Sequence, residues 1–453
     1  MVYGISNCSN GQNKNSKNEL DVLKENLNEI GIDLIFAKNI YISDDMDFAG
    51  GKERAEDLMD FYKNPEVDGI FDISGGDIAN ETLEYLDYDI IKNSNKTFWG
   101  YSDLTTIINA IYTMTGKSSV LYYVRNAARE YAQIHTENLK NYLTSDGVDL
   151  FDIDYEFYNG NYMSGVVVGG NIRCFLKLAG TKYFPDMKGK ILFIESLGSD
   201  ADALSTYFAW LSQLGVFKEI SGIMLGKFNV FEEKQTKKTV YDLLKPYIDE
   251  KLPVAKTNEI GHFSGSKAIM IGEFNRFTCI KTERLSLKPL SPRYLETTNK
   301  YASDKEVTKY MMYLPVESKE ETLRYIVRMN KEWRKEKPTD FEFVILKDGV
   351  QVGGISLSYM EDRDILEFGW ILDSAYQRQG IAYEAATGLL KFAESVLKIN
   401  HFIAHCDSEN TPSYSLMEKL GMKRMSKTGG RWNRNATKES YEYLYEKTSY
   451  DII

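Results

Sequence analysis

Thr97-Phe98-Trp99-Gly100-Tyr101-Ser102-Asp103-Leu104 decides how the first half of this 453-residue chain is read. A short strand-prone run ends at a glycine, a serine follows, and Leu104–Met114 then repeats apolar residues at helical spacing. A strand that turns into a helix through Gly-x-Ser is a nucleophile-elbow arrangement. The small residue permits the tight turn, the hydroxyl stands clear of the sheet edge, and the first helical N–H groups can stabilise an oxyanion. The same serine ahead of Asp-Leu-Thr also fits a helix N-cap, and the second glycine of G-x-S-x-G is absent.

Upstream, Val2–Ser6, Ile32–Phe36 and Gly69–Ile73 read as strands, the last ending at Ser74-Gly75-Gly76. Helices over Glu19–Ile30, Lys52–Tyr62 and Glu81–Leu86 lie between or after them. Strands alternating with helices imply βαβ units and a parallel sheet. From about Asp149 the texture changes to short Gly-rich strands, Gly165–Gly170, Lys190–Glu195, Gly222–Leu225 and Ala268–Ile271, which read as a second, strand-rich lobe of the same unit. Near Lys281 a further pattern begins. An alternating strand, Thr282–Leu290, is followed by helices, a hairpin (Phe341–Leu346 and Val350–Leu357), the strand Ile365–Leu372 and a Gly-containing turn into a helix.

Charge marks the same seam. Residues 1–280 carry 40 Asp and Glu against 28 Lys and Arg, a net of −12, whereas residues 281–453 carry 26 against 27, a net of +1. Such asymmetry points to two units with different partners. At 43% apolar and 27% charged residues the composition is that of a globular protein. No apolar run approaches the roughly 18–20 residues of a membrane span, and Met-Val-Tyr-Gly lacks the start of a secretory signal. The acidic first part argues against nucleic-acid binding, which needs clustered Lys and Arg. Cys8, Cys174, Cys279 and Cys406 lie far apart with no C-x-x-C, and the four histidines include no H-E-x-x-H. A cytoplasmic protein without metal is the expectation.

A serine is a weak nucleophile until a base accepts its proton and a third group orients the base. The imidazoles available are His135, His262, His401 and His405. His262 lies in the loop-like Gly261-His262-Phe263-Ser264-Gly265, and Glu195 ends the apolar strand Ile191–Ile194, where a carboxylate faces the crevice at a parallel sheet's carboxyl edge. A solvated or salt-bridged strand end would explain Glu195 equally.

Ser74-Gly75-Gly76-Asp77-Ile78-Ala79-Asn80, Leu86-Asp87-Tyr88-Asp89, Gly100-Tyr101-Ser102-Asp103, Gly169-Gly170-Asn171, Ala179-Gly180-Thr181, Leu192-Phe193-Ile194-Glu195 and Gly261-His262, in that order, resemble the LD-carboxypeptidase/microcin-immunity serine peptidases over residues 1–280. The resemblance implies a Ser102–Glu195–His262 triad and an oxyanion hole from the amides of Asp103 and Gly76. Gly-Gly-Asp followed by Asn, with Leu-Asp-Tyr-Asp nearby, is more similar to the microcin C immunity (MccF-like) branch than to the murein-recycling branch. The former implies cleavage of the amide joining an aminoacyl residue to a nucleotide-like group. The chain departs from the family at Leu121–Asn126, where a Gly-Pro turn is usual, and the stretch from Ser102 to Glu195 is short for the immunity branch.

In the second unit, Gln377-Arg378-Gln379-Gly380-Ile381-Ala382 follows a strand and opens a helix. A Gly-containing helix start offers unpaired N–H groups and the positive end of the macrodipole to a pyrophosphate, and an ordinary strand–helix turn has the same look. Asn410 reads as a helix N-cap with Gly421 past the helix end. With Thr282-Glu283-Arg284-Leu285, Leu366-Glu367-Phe368-Gly369-Trp370 and Leu416–Met422, these segments resemble a GNAT acetyltransferase of the RimJ/RimL type over 281–453, similar to the acetyltransferase part of MccE-type proteins. The resemblance implies acetyl-CoA as co-substrate, held by residues 377–382 and Asn410, with Glu367 as general base. A cross-strand ion pair is the alternative for Glu367. Met417 stands where many relatives place a tyrosine acid, Tyr414 is a substitute only by guess, and Trp432 reads as filling a core gap or stacking on an adenine.

The expected fold is therefore α/β: a Rossmann-like parallel-sheet lobe (about 1–148) and a strand-rich second lobe (149–280) of the LD-carboxypeptidase fold, then an α+β GNAT domain (281–453). The expected function is bifunctional detoxification, hydrolysing the amide of an aminoacyl-nucleotide toxin and acetylating its amine. The alternative is murein tetrapeptide trimming joined to acetylation of an unrelated amine. The partners expected are a small-molecule or peptide–nucleotide substrate and, as is common in the peptidase family, a second copy in a homodimer.

Overall fold

The first strand, β1 (Val2–Ser6), is buried from Tyr3 onwards on both faces, and a run of that kind is stable only inside a covered sheet. The computed structural model describes residues 1–42, 49–145, 147–234 and 237–448, which pack as two units, Met1–Asn275 and Arg276–Ile453. In the first unit β1 joins β2 (Asp33–Phe36), β3 (Gly69–Asp72), β4 (Thr97–Gly100) and β5 (Ser119–Leu121) in the parallel order β5-β4-β3-β1-β2. Helix Lys17–Glu29 covers this sheet with Leu20, Leu23 and Leu27, spaced to lie on one face. Each such buried leucine contributes roughly 1.5–3 kcal/mol. Because β1 is flanked by β2 on one side and β3 on the other, the chain leaves β1 and β3 in opposite directions. Their carboxyl ends are thus the switch point of the sheet, the place where ligands of open parallel sheets bind.

A second sheet contains β6 (Glu156–Asn159), β7 (Tyr162–Asn171), β8 (Ile191–Ser196), β9 (Gly222–Phe228) and β10 (Val254–Lys256). Its run β7-β8-β9-β10 is parallel, with β6 antiparallel on β10. Two expectations are corrected here. The strand expected over Ala268–Ile271 in the second lobe is β11 (Ile269–Ile271), and it returns to the first sheet, antiparallel to β5. It covers what would otherwise be the open edge of β5. The helix expected over Glu81–Leu86 is a tighter 3-10 stretch, Ala79–Tyr85, in which Thr82 Oγ1 donates to the carbonyl of Ala79 at 2.7 Å.

Helix Thr105–Thr115 is buried all round its first two turns, from Thr105 to Ile111. Its polar Asn109 is satisfied: Nδ2 donates to Gly169 O and Thr105 O at 2.8 Å each, and Oδ1 accepts from Gly169 N at 2.9 Å. The helix that follows Ser102 is thus fastened to β7.

Strand β12 (Phe274–Thr278) carries the chain across the boundary between the units. The second unit adds β13 (Ile280–Lys281), β14 (Leu285–Pro289), β15 (Asp340–Lys347), β16 (Val350–Tyr359), β17 (Ile365–Leu372), β18 (His401–Asp407), β19 (Lys423–Arg431) and β20 (Ser440–Thr448). Their order is β13-β14-β15-β16-β17-β18-β20-β19. The strand expected from Thr282 begins only at Leu285, since Thr282 Oγ1 and Arg284 N both donate to Glu384 Oε1, at 2.6 and 2.7 Å. All neighbours are antiparallel except β17 and β18. That parallel pair holds only at Ile365–His401, Leu366–Phe402 and Glu367–Ile403. Beyond it, β17 continues with β16 to Leu372 and β18 with β20 to Asp407, so the two strands part. Among the described residues no helix is long and apolar enough to cross a membrane.

Candidate active sites

Ser102 follows β4 with φ +55°, left-handed backbone that a non-glycine residue adopts at a cost of about 1–3 kcal/mol. It caps no helix: the 3-10 turn Ser102–Leu104 has Tyr101 at its N-cap, and no side chain caps it or the helix behind it. The neighbours hold the strained turn in place. Asp103 is fully buried and accepts from Ser9 Oγ at 2.7 Å, Ala79 N at 2.8 Å and Lys177 Nζ at 2.6 Å. The loops after β1 and β3 and the helix after β7 thereby converge on the residue next to the serine.

Glu195 lies near the carboxyl end of β8 with no exposed surface. Its Oε2 contacts His262 Nδ1 at 2.7 Å and its Oε1 accepts from Asn171 Nδ2 at 3.0 Å. His262 Nε2 is buried and forms no hydrogen bond, and none links His262 to Ser102. The imidazole ring packs 4.8 Å from the ring of Tyr101, the residue before the serine. Burial, with the Glu195 charge nearby, pushes the Tyr101 phenol well above its usual range. The structure therefore brings Glu195 and His262 into contact and leaves one imidazole nitrogen free beside the Ser102 turn. His135 has no such nitrogen to offer, because Nδ1 meets Tyr122 Oη at 2.8 Å and Nε2 meets Ser264 O at 2.7 Å.

The Gly75-Gly76 turn passes close to the serine: a Cβ on Gly75 would sit 4.0 Å from that of Ser102. Gly76 has φ +133°, and a side chain there would collide with Asn10 Oδ1, which accepts the Asp77 N–H at 2.8 Å. Only glycine fits that turn. Arg173 donates to Gly76 O at 3.1 Å and pairs with Asp77, while Lys177 Nζ donates to Asp77 O at 2.7 Å. Arg54, also buried, ties the β1 loop to the β3 loop through Cys8 O (2.6 Å) and Ile78 O (3.1 Å). Sequence reasoning singled out none of Asn10, Arg54, Lys177 or Asn109. For Asn109 alone a signal was readable, an amide side chain one turn after Thr105 and between Ile108 and Ala110 in a buried helix.

In the second unit Glu367 is half-buried, and its Oε1 contacts His405 Nδ1 at 2.7 Å, next to the point where β17 and β18 separate. His405 was the partner that sequence reasoning missed. In a strand it shares a face with Ile403, whose register partner is Glu367, but only the parallel pairing makes that visible. The turn at residues 377–382 has positive φ at Arg378 (+60°) and Gly380 (+77°), and Gly380 is the N-cap of helix Ile381–Phe392. Gln377 Nε2 donates to Leu372 O at 3.3 Å and Gln379 Nε2 to Ala375 O at 3.0 Å, so both side chains brace the turn. Ile381 is buried, Ala382 is half-buried, and a side chain at Gly380 would come within 3.5 Å of Arg284 Nη2. Arg284, held by Glu384 at 2.7 Å, adds a cation beside this helix start. The residues present fit an anionic phosphate group: a 12-residue helix with its N-terminus behind glycine and a guanidinium alongside. Asn410 caps helix Thr411–Lys419, accepting from Ser413 N at 3.3 Å. Met417 is fully buried, and Tyr414 Oη donates to Thr411 Oγ1 at 3.1 Å. Trp432 fills no core gap, being 55% exposed.

Residues 4–122 match the LD-carboxypeptidase N-terminal domain, 164–277 the LD-carboxypeptidase C-terminal domain and 284–423 the acetyltransferase (GNAT) domain. The microcin C7 self-immunity protein MccF of Escherichia coli is 27% identical over 244 residues, 47% of this chain and 71% of that protein. The uncharacterized N-acetyltransferase YnaD of Bacillus subtilis (strain 168) is 30% identical over 145 residues, 32% of this chain and 82% of that protein. The structure of MccF in complex with aspartyl sulfamoyl adenosine aligns with a TM-score of 0.56 at 24% identity, over 61% of this chain and 92% of that one.

Proposed function

We propose a single substrate class for a chain that belongs to the LD-carboxypeptidase family of serine peptidases through its first unit and to the GNAT acetyltransferases through its second: aminoacyl-nucleotide toxins, hydrolysed at the acyl–nitrogen bond by one unit and acetylated on the α-amine by the other. The observation that carries the hydrolytic half is the Glu195–His262 contact, which leaves a buried, unpartnered Nε2 beside the Ser102 turn. In this reading His262 Nε2 takes the Ser102 proton as Oγ bonds to the acyl carbon, and Glu195 keeps Nδ1 protonated and the ring oriented. The N–H groups of Asp103 and Gly76 donate to the oxygen as charge builds on it. His262 then protonates the departing nitrogen and deprotonates the water that frees the acyl group. General-base assistance of this kind contributes about 10²–10⁴-fold.

For the second unit, acetyl-CoA supplies the acetyl group as a thioester. The Gly380 turn with Arg284 would hold its phosphates, and Asn410 and the parting of β17 from β18 would receive its extended arm. Glu367 stands at the mouth of that parting. The substrate class is supported by the likeness to MccF, itself solved with aspartyl sulfamoyl adenosine. An amino acid joined to a nucleoside offers both an acyl–nitrogen bond and a free amine, one for each unit.

The test is mass spectrometry of aspartyl sulfamoyl adenosine incubated with the full chain. Aspartate release should require Ser102, and an acetyl-bearing product should require acetyl-CoA and fall in Glu367→Gln. Release of D-alanine from murein tetrapeptide, with the nucleoside untouched, would replace this substrate class by the murein one.

A further inference from the structure

Glu367 does not stand alone in the second unit. Its carboxylate meets His405 Nδ1 at 2.7 Å from the neighbouring strand, diagonally across the last rung of the β17–β18 ladder. His405 Nε2 forms no hydrogen bond among the described residues, and its side chain keeps 29% of its surface. The pair is placed where the two strands stop bonding to each other. Both residues point off the same face of the sheet, on strands that reach beyond this rung to Leu372 and Asp407.

We infer that His405 is the group that takes the proton from the acceptor amine, with Glu367 as its positioning residue: the acetyltransferase unit works through a Glu–His dyad rather than a lone carboxylate. The inference rests on the acetyltransferase reading and names the base within it. The chemistry favours imidazole. Carboxylates as a class are far weaker proton acceptors than imidazole, whose ordinary pKa lies closer to the operating pH, where a general base is most effective. Glu367 acts on it as a carboxylate acts on the histidine of a hydrolytic triad: it fixes the tautomer with Nδ1–H, turns Nε2 outward and stabilises the imidazolium.

The balance is simple. The ammonium gives one proton to His405 Nε2, and the freed nitrogen lone pair forms the bond to the acetyl carbon. The carbon–sulfur bond breaks with its electron pair going to sulfur. The nitrogen loses its surplus proton as the thiolate gains one, and His405 returns its proton to solvent.

The surroundings agree in sign. The hydrogen bond that His405 donates to Glu367 is the main cause raising the His405 pKa above its ordinary value; burial opposes it, Glu442 on β20 adds to it and Arg431 at the end of β19 subtracts. At the other end of β18, His401 is engaged by Glu446 at 2.6 Å, and on the covering helix Glu418 accepts from Tyr445 Oη at 2.8 Å.

Two measurements test this on the full chain. With only four histidines, NMR titration can follow His405 directly. It should titrate above the ordinary imidazole value in the wild type and lower in Glu367→Gln, which lacks the carboxylate that raises it. An unmoved titration overturns the pairing. The second measurement is acetyl transfer to aspartyl sulfamoyl adenosine and to a panel of simple primary amines. His405→Gln should lose about 10²-fold or more in kcat with acetyl-CoA affinity by calorimetry unchanged. Glu367→Gln should lose less, and the pH at which kcat/KM rises to its plateau should fall. His405→Gln retaining more than a third of wild-type kcat, or Glu367→Gln the more damaged of the two, overturns the dyad in favour of the carboxylate as direct base. Wild-type protein that binds acetyl-CoA yet acetylates none of these amines overturns the acetyltransferase reading itself, and the dyad with it.

Discussion

The chain contains two Glu–His contacts of the same length, 2.7 Å, both through Nδ1, set in opposite surroundings. Glu195 has no exposed surface, receives a second hydrogen bond from Asn171 and faces an imidazole whose other nitrogen is buried. Glu367 and His405 keep 35% and 29% of their side-chain surface and share no further hydrogen bond. Distance alone does not distinguish them; solvent does. A carboxylate sealed from water acts on its histidine undiluted, whereas an exposed one is screened and contributes little to stability.

The sharpest way to break the comparison is at the buried pair. Glu195→Gln keeps the shape but removes the charge and the preferred tautomer, and hydrolysis of aspartyl sulfamoyl adenosine should fall about 10⁴-fold in kcat. A loss no greater than that of Glu367→Gln in acetyl transfer would erase the distinction. Stability should separate the pairs next. Glu195→Ala leaves Asn171 Nδ2 and His262 Nδ1 without their acceptor, and denaturant unfolding of the first unit should show a loss of about 2–5 kcal/mol. Glu367→Ala should cost the second unit under about 1 kcal/mol, as exposed pairs do. The smallest effect concerns the serine itself. Ser102→Gly and Ser102→Ala should both abolish hydrolysis, but the glycine variant should be the more stable by about 1 kcal/mol, because it adopts φ +55° without a Cβ penalty. Equal midpoints would mean that the turn stores no strain.

What was legible in the sequence was what local chemistry dictates. The Thr97–Gly100 strand and the helix behind Ser102 were readable because apolar spacing and a glycine suffice to specify a strand, a turn and a helix. Glu195 was readable as the polar end of a buried run. Pairings between distant segments were not. Nothing in Ile269–Ile271 says that it closes the edge of β5 rather than joining the nearer sheet. Lys177 reaches Asp103, beside the serine, only after both lobes have folded, and Asn10 meets Asp77 only once the loops after β1 and β3 lie side by side. His405 is a partner of Glu367 only because β18 runs parallel to β17 in one particular register, which neither segment encodes alone. Trp432 misled because a large aromatic is usually buried, and this one is not.

The three-rung seam between β17 and β18 has a mechanical consequence. The eight-stranded sheet is divided there into two panels, one ending at β17 and the other beginning at β18, joined by three rungs only. Phe368–Leu372 and Ala404–Asp407 each hold one strand where a central strand normally holds two. A guest lying in that gap with amides of its own would supply the missing rungs and lock the panels. Filling the gap and stiffening the sheet then become one event, and amide exchange in strands that never touch the guest should slow as it binds.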